Sequence, residues 1–205
     1  MKLTNFKYME GDHMTNKRKF STLHLAIIGL MAALVFVATN FRIDIPTPLG
    51  KTMLHLGNVM CVLAGLLFGG ITGGLAAGFG SALFDLFDPT FAPEFWITFI
   101  LKFAMGFIAG YISHGNGRNG ENKKFNTIAA ITAAFVYVIL YIGKTFIINF
   151  FILGNQMEAV IAVTITKGTT SLVNAIIAVI ASLAIALAIR PALRSAGVFR
   201  KLEGK

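Results

Sequence analysis

The sequence predicts an all-α integral membrane protein, a bundle of six transmembrane helices with both termini in the cytoplasm. Three observations predict it. Of 205 residues, 56% are hydrophobic and 13% charged, where a soluble domain carries about a quarter charged. The apolar residues fall into six long runs. The basic residues gather on one side of those runs.

A helix needs about 20 apolar residues, within a range of about 17–25, to cross the hydrocarbon core. The qualifying runs are Thr22–Asn40, Met53–Gly69, Gly70–Phe87, Glu94–Ser113, Phe125–Leu153 and Glu158–Arg190. The first is expected to be a retained helix and not a cleaved signal. Residues 1–20 are polar, and Asn40-Phe41-Arg42 follows the run where a small-residue cleavage site would stand. The second and third runs meet at Phe68-Gly69-Gly70 with no polar loop, which demands a very tight turn. The last two runs exceed the required length, so they tilt, protrude or include a non-helical outer section. No ten-residue alternation marks a strand barrel.

Orientation follows from Lys and Arg. With six spans, 13 of the 18 lie on one side: five before the first run, Arg118, Lys123 and Lys124 between the fourth and fifth, and five from Arg190 onward. The other side holds Arg42 and Lys51 with Asp44, Asp88, Glu94 and Glu158. The positive-inside rule places both termini in the cytoplasm. Residues 1–21 then form a basic N-terminal tail, 22–193 the membrane domain, and 194–205 a basic C-terminal tail.

Several functions are disfavoured. The net charge of +9 reflects topology, so no nucleic-acid partner is expected. Cys61, the single cysteine, cannot form an intrachain disulfide. Gly143-Lys144-Thr145 resembles the tail of a phosphate-binding loop, but Val138 stands where its first glycine is required. HExxH, GxSxG and a Ser–His–Asp grouping are absent from the sequence. No catalytic residue, metal or cofactor is expected, and active transport would need ATPase partners.

Three lysines remain, all within predicted spans, where an ionisable group costs a few kcal/mol and usually has a partner or a task. Lys102 falls roughly 12 Å and Lys167 roughly 13 Å below the outer surface at about 1.5 Å per residue, and Lys144 lies late in the fifth span. Asp85 ends the third span on the same side. Two readings stand. Lys102 pairs with Asp85 or Glu94 while Lys144 and Lys167 snorkel outward, or some of these lysines meet a polar ligand. Asn174, deeper in the sixth span, either bonds across helices or closes the floor of a pocket. Tyr137 and Tyr141 share a helix face at i, i+4. Trp96 is either an interfacial belt residue or a stacking wall for a flat heterocycle. Small-residue steps at Gly29/Ala33, Gly70/Gly74/Gly78 and Gly69/Gly73 permit close helix approach. The external loop Phe41–His55, stiffened by Pro46 and Pro48 with a turn at Gly50, suits a lid over a pocket.

From Leu25 to about Leu193 the chain resembles the substrate-binding S components of energy-coupling factor (ECF) vitamin transporters, in particular the riboflavin-type group. The segments that carry the resemblance are IPTPLGKTMLHLGNV (Ile45–Val59), LAGLLFGGITGGLAAGFGSALFDLF (Leu63–Phe87), APEFWITFILKFAMGFIAGYI (Ala92–Ile112) and KGTTSLVNAIIAVI (Lys167–Ile180). The resemblance implies a six-helix component that binds a vitamin-like small molecule outside, under the first loop. It implies docking on a transmembrane coupling protein driven by two ATPase subunits. Docking would use the small-residue step of the first helix, here Gly29 and Ala33 in place of an AxxxA. Carried over by position, Lys102, Lys167 and Asn174 are the first ligand candidates, with His55, Asn58, Trp96, Tyr137, Tyr141 and Lys144 next. Riboflavin, pyridoxine, hydroxymethylpyrimidine and pantothenate all fit this architecture. The rival readings are a small-solute facilitator and a non-transporting assembly or sensor protein.

Overall fold

The computed structural model describes residues 21–202; the N-terminal tail expected over 1–21 therefore lies, apart from Ser21, outside the described residues. Six helices occupy the six predicted runs: α1 (Thr22–Asn40), α2 (Gly57–Phe68), α3 (Gly70–Leu86), α4 (Phe95–His114), α5 (Lys123–Ile147) and α6 (Met157–Ser195). A short α7 (Val198–Leu202) follows, and β1 (Arg42–Thr47) and β2 (Gly50–His55) stand between α1 and α2. Among the described residues, four helical stretches are long and apolar enough to cross a membrane: Thr22–Asn40, Ala92–Gly117, Lys123–Ile152 and Met157–Ser195.

Local chemistry sets the boundaries. Ser21 caps α1 in a reciprocal box with His24, and the Asn122 carboxamide accepts from the Lys124 and Phe125 backbone N–H groups to start α5, each satisfying donors that a first turn leaves open. Gly69, at φ +84°, separates α2 from α3. This left-handed value favours glycine, and it delivers the tight turn. The long fifth run ends in a π-turn, Ile148–Ile152.

The second run is corrected. It was expected to be helical from Met53, but Met53–His55 belongs to β2 and the helix starts at Gly57. β1 and β2 form an antiparallel hairpin in which Thr47 pairs with Gly50, so Pro48-Leu49 make the turn. Apolar composition cannot separate a buried strand from a helix. Here ladder pairing with β1 satisfies the backbone that a helix would otherwise satisfy. The lid-like loop is thus a hairpin, and α2 has 12 residues, about 18 Å against a hydrocarbon core of about 30 Å.

Glycines let α2, α3 and α4 interlock. A Cβ on Gly73 would strike the Gly65 backbone, one on Gly65 the Gly106 carbonyl, and one on Gly110 the Gly69–Gly70 backbone. Gly70, Gly74 and Gly78 face Phe107, Phe103 and Phe99 in turn. Those rings stack down α4 at 6.2 and 5.8 Å between centroids. The small-residue steps of α3 therefore serve packing within the chain, where lipid supplies no hydrophobic drive. The core fills with Val35, Val62, Leu66, Met105 and the alanines of α5.

Of the segment expected as a C-terminal tail, residues 194–202 are described. α6 continues to Ser195, and α7 packs Val198 and Leu202 on the cluster of Ile27, Met31, Ala64 and Ala76.

Candidate functional site: a polar cavity under the hairpin

The hairpin roofs a cavity enclosed by α1 and α3–α6. The cavity as it stands is narrow, about 50 Å³. Of the candidates read from the sequence, His55, Lys102, Tyr137, Tyr141, Lys144 and Asn174 line it. The structure brings these six together from β2, α4, α5 and α6.

Lys102 is 4% exposed. Its ammonium donates to Asn58 Oδ1 of α2 and stands 4.0 Å from the Tyr137 ring centroid. No ion pair reaches it among the described residues, so pairing with Asp85 or Glu94 is not what holds it. Glu94 instead binds Lys144, because the start of α4 and the end of α5 meet at the same end of the bundle. Lys144 therefore does not simply snorkel; it is partnered and also lies 5.3 Å from the Tyr141 centroid. Tyr137 and Tyr141 stack at 5.8 Å with 17° between planes, as their i, i+4 spacing requires.

Asn174 lines the cavity and bonds to the hairpin, not to another helix. Its Oδ1 accepts from the His55 N–H at 3.0 Å and its Nδ2 donates to the Met53 carbonyl at 2.9 Å. The side chain thus acts like a neighbouring strand along β2. Asn174 stands 17 residues into α6, about 25 Å along its axis, so the hairpin dips well into the bundle.

Asn58, 1% exposed, sits behind Lys102 and does not line the cavity. Lys167 is buried at 9% exposure and is likewise outside the lining. Trp96 is 55% exposed and faces outward, as an interfacial belt residue would. Sequence reasoning missed Thr39, Thr52, Met53, Ser81, Phe91, Thr98 and Ser171 as lining residues, and read Asp85 only as a charge partner. A signal was present. Ser81 precedes Asp85, and Thr98 precedes Lys102, by four residues, and Ser171 precedes Asn174 by three, so each shares a face with a polar residue already singled out.

A charge cluster moors the roof. Asp88 Oδ2 accepts from Arg42 at 2.8 Å and Lys51 at 2.9 Å, and its Oδ1 accepts from the Thr90 N–H at 3.0 Å. Asp44 joins through Lys51 at 2.9 Å. Burial pushes the Asp88 carboxyl upward, but the hydrogen bonds from Lys51, Thr90 and Arg42 outweigh it and hold the group below the ordinary carboxylate range. Hydrogen bonds to Asp88 and Asp44 raise Lys51. Asp88, being depressed, stabilises above its unfolded value of about 3.9, and this is lost as pH falls through the lower folded value. Lys51, being raised, stabilises fully below about 10.4 and loses this as pH rises through its folded value. The mooring should be constant near neutrality and fail in strong acid. Asp88→Asn at pH 7 should imitate that failure and cost about 1–3 kcal/mol. Amide exchange across residues 42–55 should then accelerate roughly tenfold or more; unchanged exchange would show that the cluster does not hold the roof.

Among the described residues no group of His, Cys, Asp or Glu could hold a metal ion. What the arrangement offers is a stacking wall, hydrogen-bond donors and a roof, set in an apolar bundle. Those are the parts of a membrane-embedded small-molecule binding protein. A family model for the ECF-type riboflavin transporter S component matches residues 19–191. The chain belongs to that family, and is a multi-pass membrane protein and the substrate-binding subunit of a transporter, not an enzyme. A comparison with curated proteins gave no match. Membership implies a small-molecule substrate and association with an ECF module.

Proposed function

We propose that this subunit captures riboflavin, or a flat vitamin of closely similar chemistry, outside a bacterial cell and delivers it inward with a coupling protein and two ATPases. The observation that carries the reading is unused hydrogen-bonding capacity beside a stacking wall. Lys102 spends one of its three N–H donors on Asn58, Asn58 Nδ2 is buried without a partner, and so is Ser171 Oγ. An unmet buried polar group costs about 1–3 kcal/mol. A flat ring rich in carbonyl and nitrogen acceptors, lying against Tyr137 and Tyr141, would relieve Lys102 and Ser171 together. Lys144 and His55 complete the proposed contacts; Lys167 and Trp96 are weaker candidates, being outside the lining.

The topology proposed is six crossings over residues 22–193 with both termini cytoplasmic. Segregation of Lys and Arg supports it, as does the packing of α7 near Leu23 at the start of α1. Gly29 and Ala33 are exposed on α1, and a Cβ on Gly29 would meet open space. That face is the proposed dock for the coupling protein.

The test is to purify the full chain in mild detergent, denature it and identify released molecules by mass spectrometry, then titrate emptied protein with riboflavin by quenching of flavin fluorescence. Stoichiometric riboflavin and saturable quenching are expected. An empty protein that binds none of riboflavin, pyridoxine, hydroxymethylpyrimidine or pantothenate would overturn the reading. Ala33→Leu should weaken copurification of the coupling protein while leaving that titration unchanged; undiminished copurification would clear α1 of the docking role.

A further inference from the structure

Asp85, the penultimate residue of α3, is 5% exposed and lines the cavity. It is not among the contacts proposed above. Its carboxyl shares a hydrogen bond with Thr98 of α4, whereas a carboxylate offers about four lone-pair sites. Lys102 and Lys144 line the same cavity and act on Asp85 electrostatically, yet neither is bonded to it. Lys102 is taken by Asn58 and Lys144 by Glu94, and Asp85 forms no ion pair among the described residues. The ends of the described chain lie elsewhere. A Cβ on Gly80 would strike Ala32 and Val35 of α1, so Asp85, a turn further on, stands toward the Asn40 end of that helix. Ser21 begins the same helix, and Leu202 joins Leu23 and Ile27 near its start.

A buried carboxyl with most of its acceptor capacity unspent is costly in an apolar bundle. Asp85 opens on the same space as Lys102, which has donors unspent. Such a wall is complementary to a ligand edge that presents a donor beside acceptors. An imide, one N–H between two carbonyls, has that pattern: its N–H meets the carboxyl while a carbonyl meets an ammonium. An edge of acceptors alone would satisfy the lysines and press lone pairs against Asp85. Sites built around such a bond reject analogues that lack the matching group, because the buried partner is then stranded.

We propose that Asp85 is a specificity-determining residue that accepts a hydrogen bond from an imide N–H on the edge of the bound ring, with Lys102 donating to a flanking carbonyl. The proposal rests on the reading that this cavity receives riboflavin or a close analogue, and it names the edge of the ring that enters.

The experiment is titration of the full chain in mild detergent with riboflavin and with 3-methylriboflavin, in which a methyl group replaces the imide proton. Flavin fluorescence is followed for wild type and Asp85→Leu. Wild type should bind riboflavin about tenfold or more tightly than the methylated flavin. Asp85→Leu should bind riboflavin about tenfold or more weakly than wild type does, and should hold the two flavins within about threefold of each other. The Thr98 hydroxyl freed by this substitution can bond back to the carbonyl four residues before it. Asp85→Ala, which removes the carboxyl without adding bulk, gives the same comparison if the leucine variant does not fold. Equal affinity of wild type for the two flavins would overturn the assignment of Asp85 alone. So would a preference that persists in the variants, since the methyl group would then clash elsewhere. Wild type that binds neither flavin would overturn the functional reading and this assignment with it.

Discussion

Lys102→Met should lower affinity for the bound vitamin by roughly 10- to 150-fold, because a hydrogen bond to a charged group is worth about 1.5–3 kcal/mol. The same substitution should leave the empty protein as stable as wild type or more so. A lysine 4% exposed with no ion-pair partner among the described residues is a cost in an apolar bundle, relieved here by Asn58 Oδ1 and the Tyr137 face. Methionine fills similar space without the charge. It does strand Asn58, so Lys102→Met with Asn58→Leu should be the more stable of the two variants. Opposite movement of affinity and unfolding temperature distinguishes a binding lysine from a structural one. A variant that binds as tightly as wild type would remove Lys102 from the site.

Gly110→Leu should abolish recovery of monodisperse protein. A Cβ at this position would meet Gly69 O at 2.5 Å, with the Gly70 backbone also in the way, and no side chain is there to move aside. Overpacking where side chains can adjust costs about 1–3 kcal/mol. Here α4 would have to leave the α2–α3 turn, carrying Phe99, Phe103 and Phe107 out of register with Gly78, Gly74 and Gly70. Gly143→Leu is the matched control, since a Cβ there meets nothing within 4 Å. It should stay within about 0.5 kcal/mol of wild type. Size-exclusion profiles after expression separate the two. A well-behaved Gly110→Leu protein would refute the interlocked packing of α2, α3 and α4.

Helix content was legible because hydropathy reports it directly. The run Thr22–Asn40 coincides with α1, and the excess length of the fifth run reappears as the π-turn after Ile147. The hairpin was not legible as a hairpin. Met53 and Leu54 are as apolar as the helix that follows, and what distinguishes them is pairing with Asp44 and Ile43, a non-local fact. The six cavity residues found from sequence were those whose polarity is anomalous in a span. Serine and threonine escaped because their hydroxyls can bond back to their own helix, as Thr170 does to Thr166, so their presence in a run signals nothing. One of the two readings of Lys102 paired it with a carboxylate, because charge suggests one; in the structure Lys102 bonds to a carboxamide, Asn58, and it is Lys144 that meets Glu94.

Because Asn174 and the Asp88 cluster attach the roof from outside, while the ladder between β1 and β2 is its own, the hairpin can swing as one piece without unwinding a helix. The glycine-knit half of the molecule, α2 to α4, need not take part. A lineage could therefore exchange the cap and the cavity-facing residues of α4, α5 and α6 to suit a new cargo and still keep the glycine seam between α3 and α4.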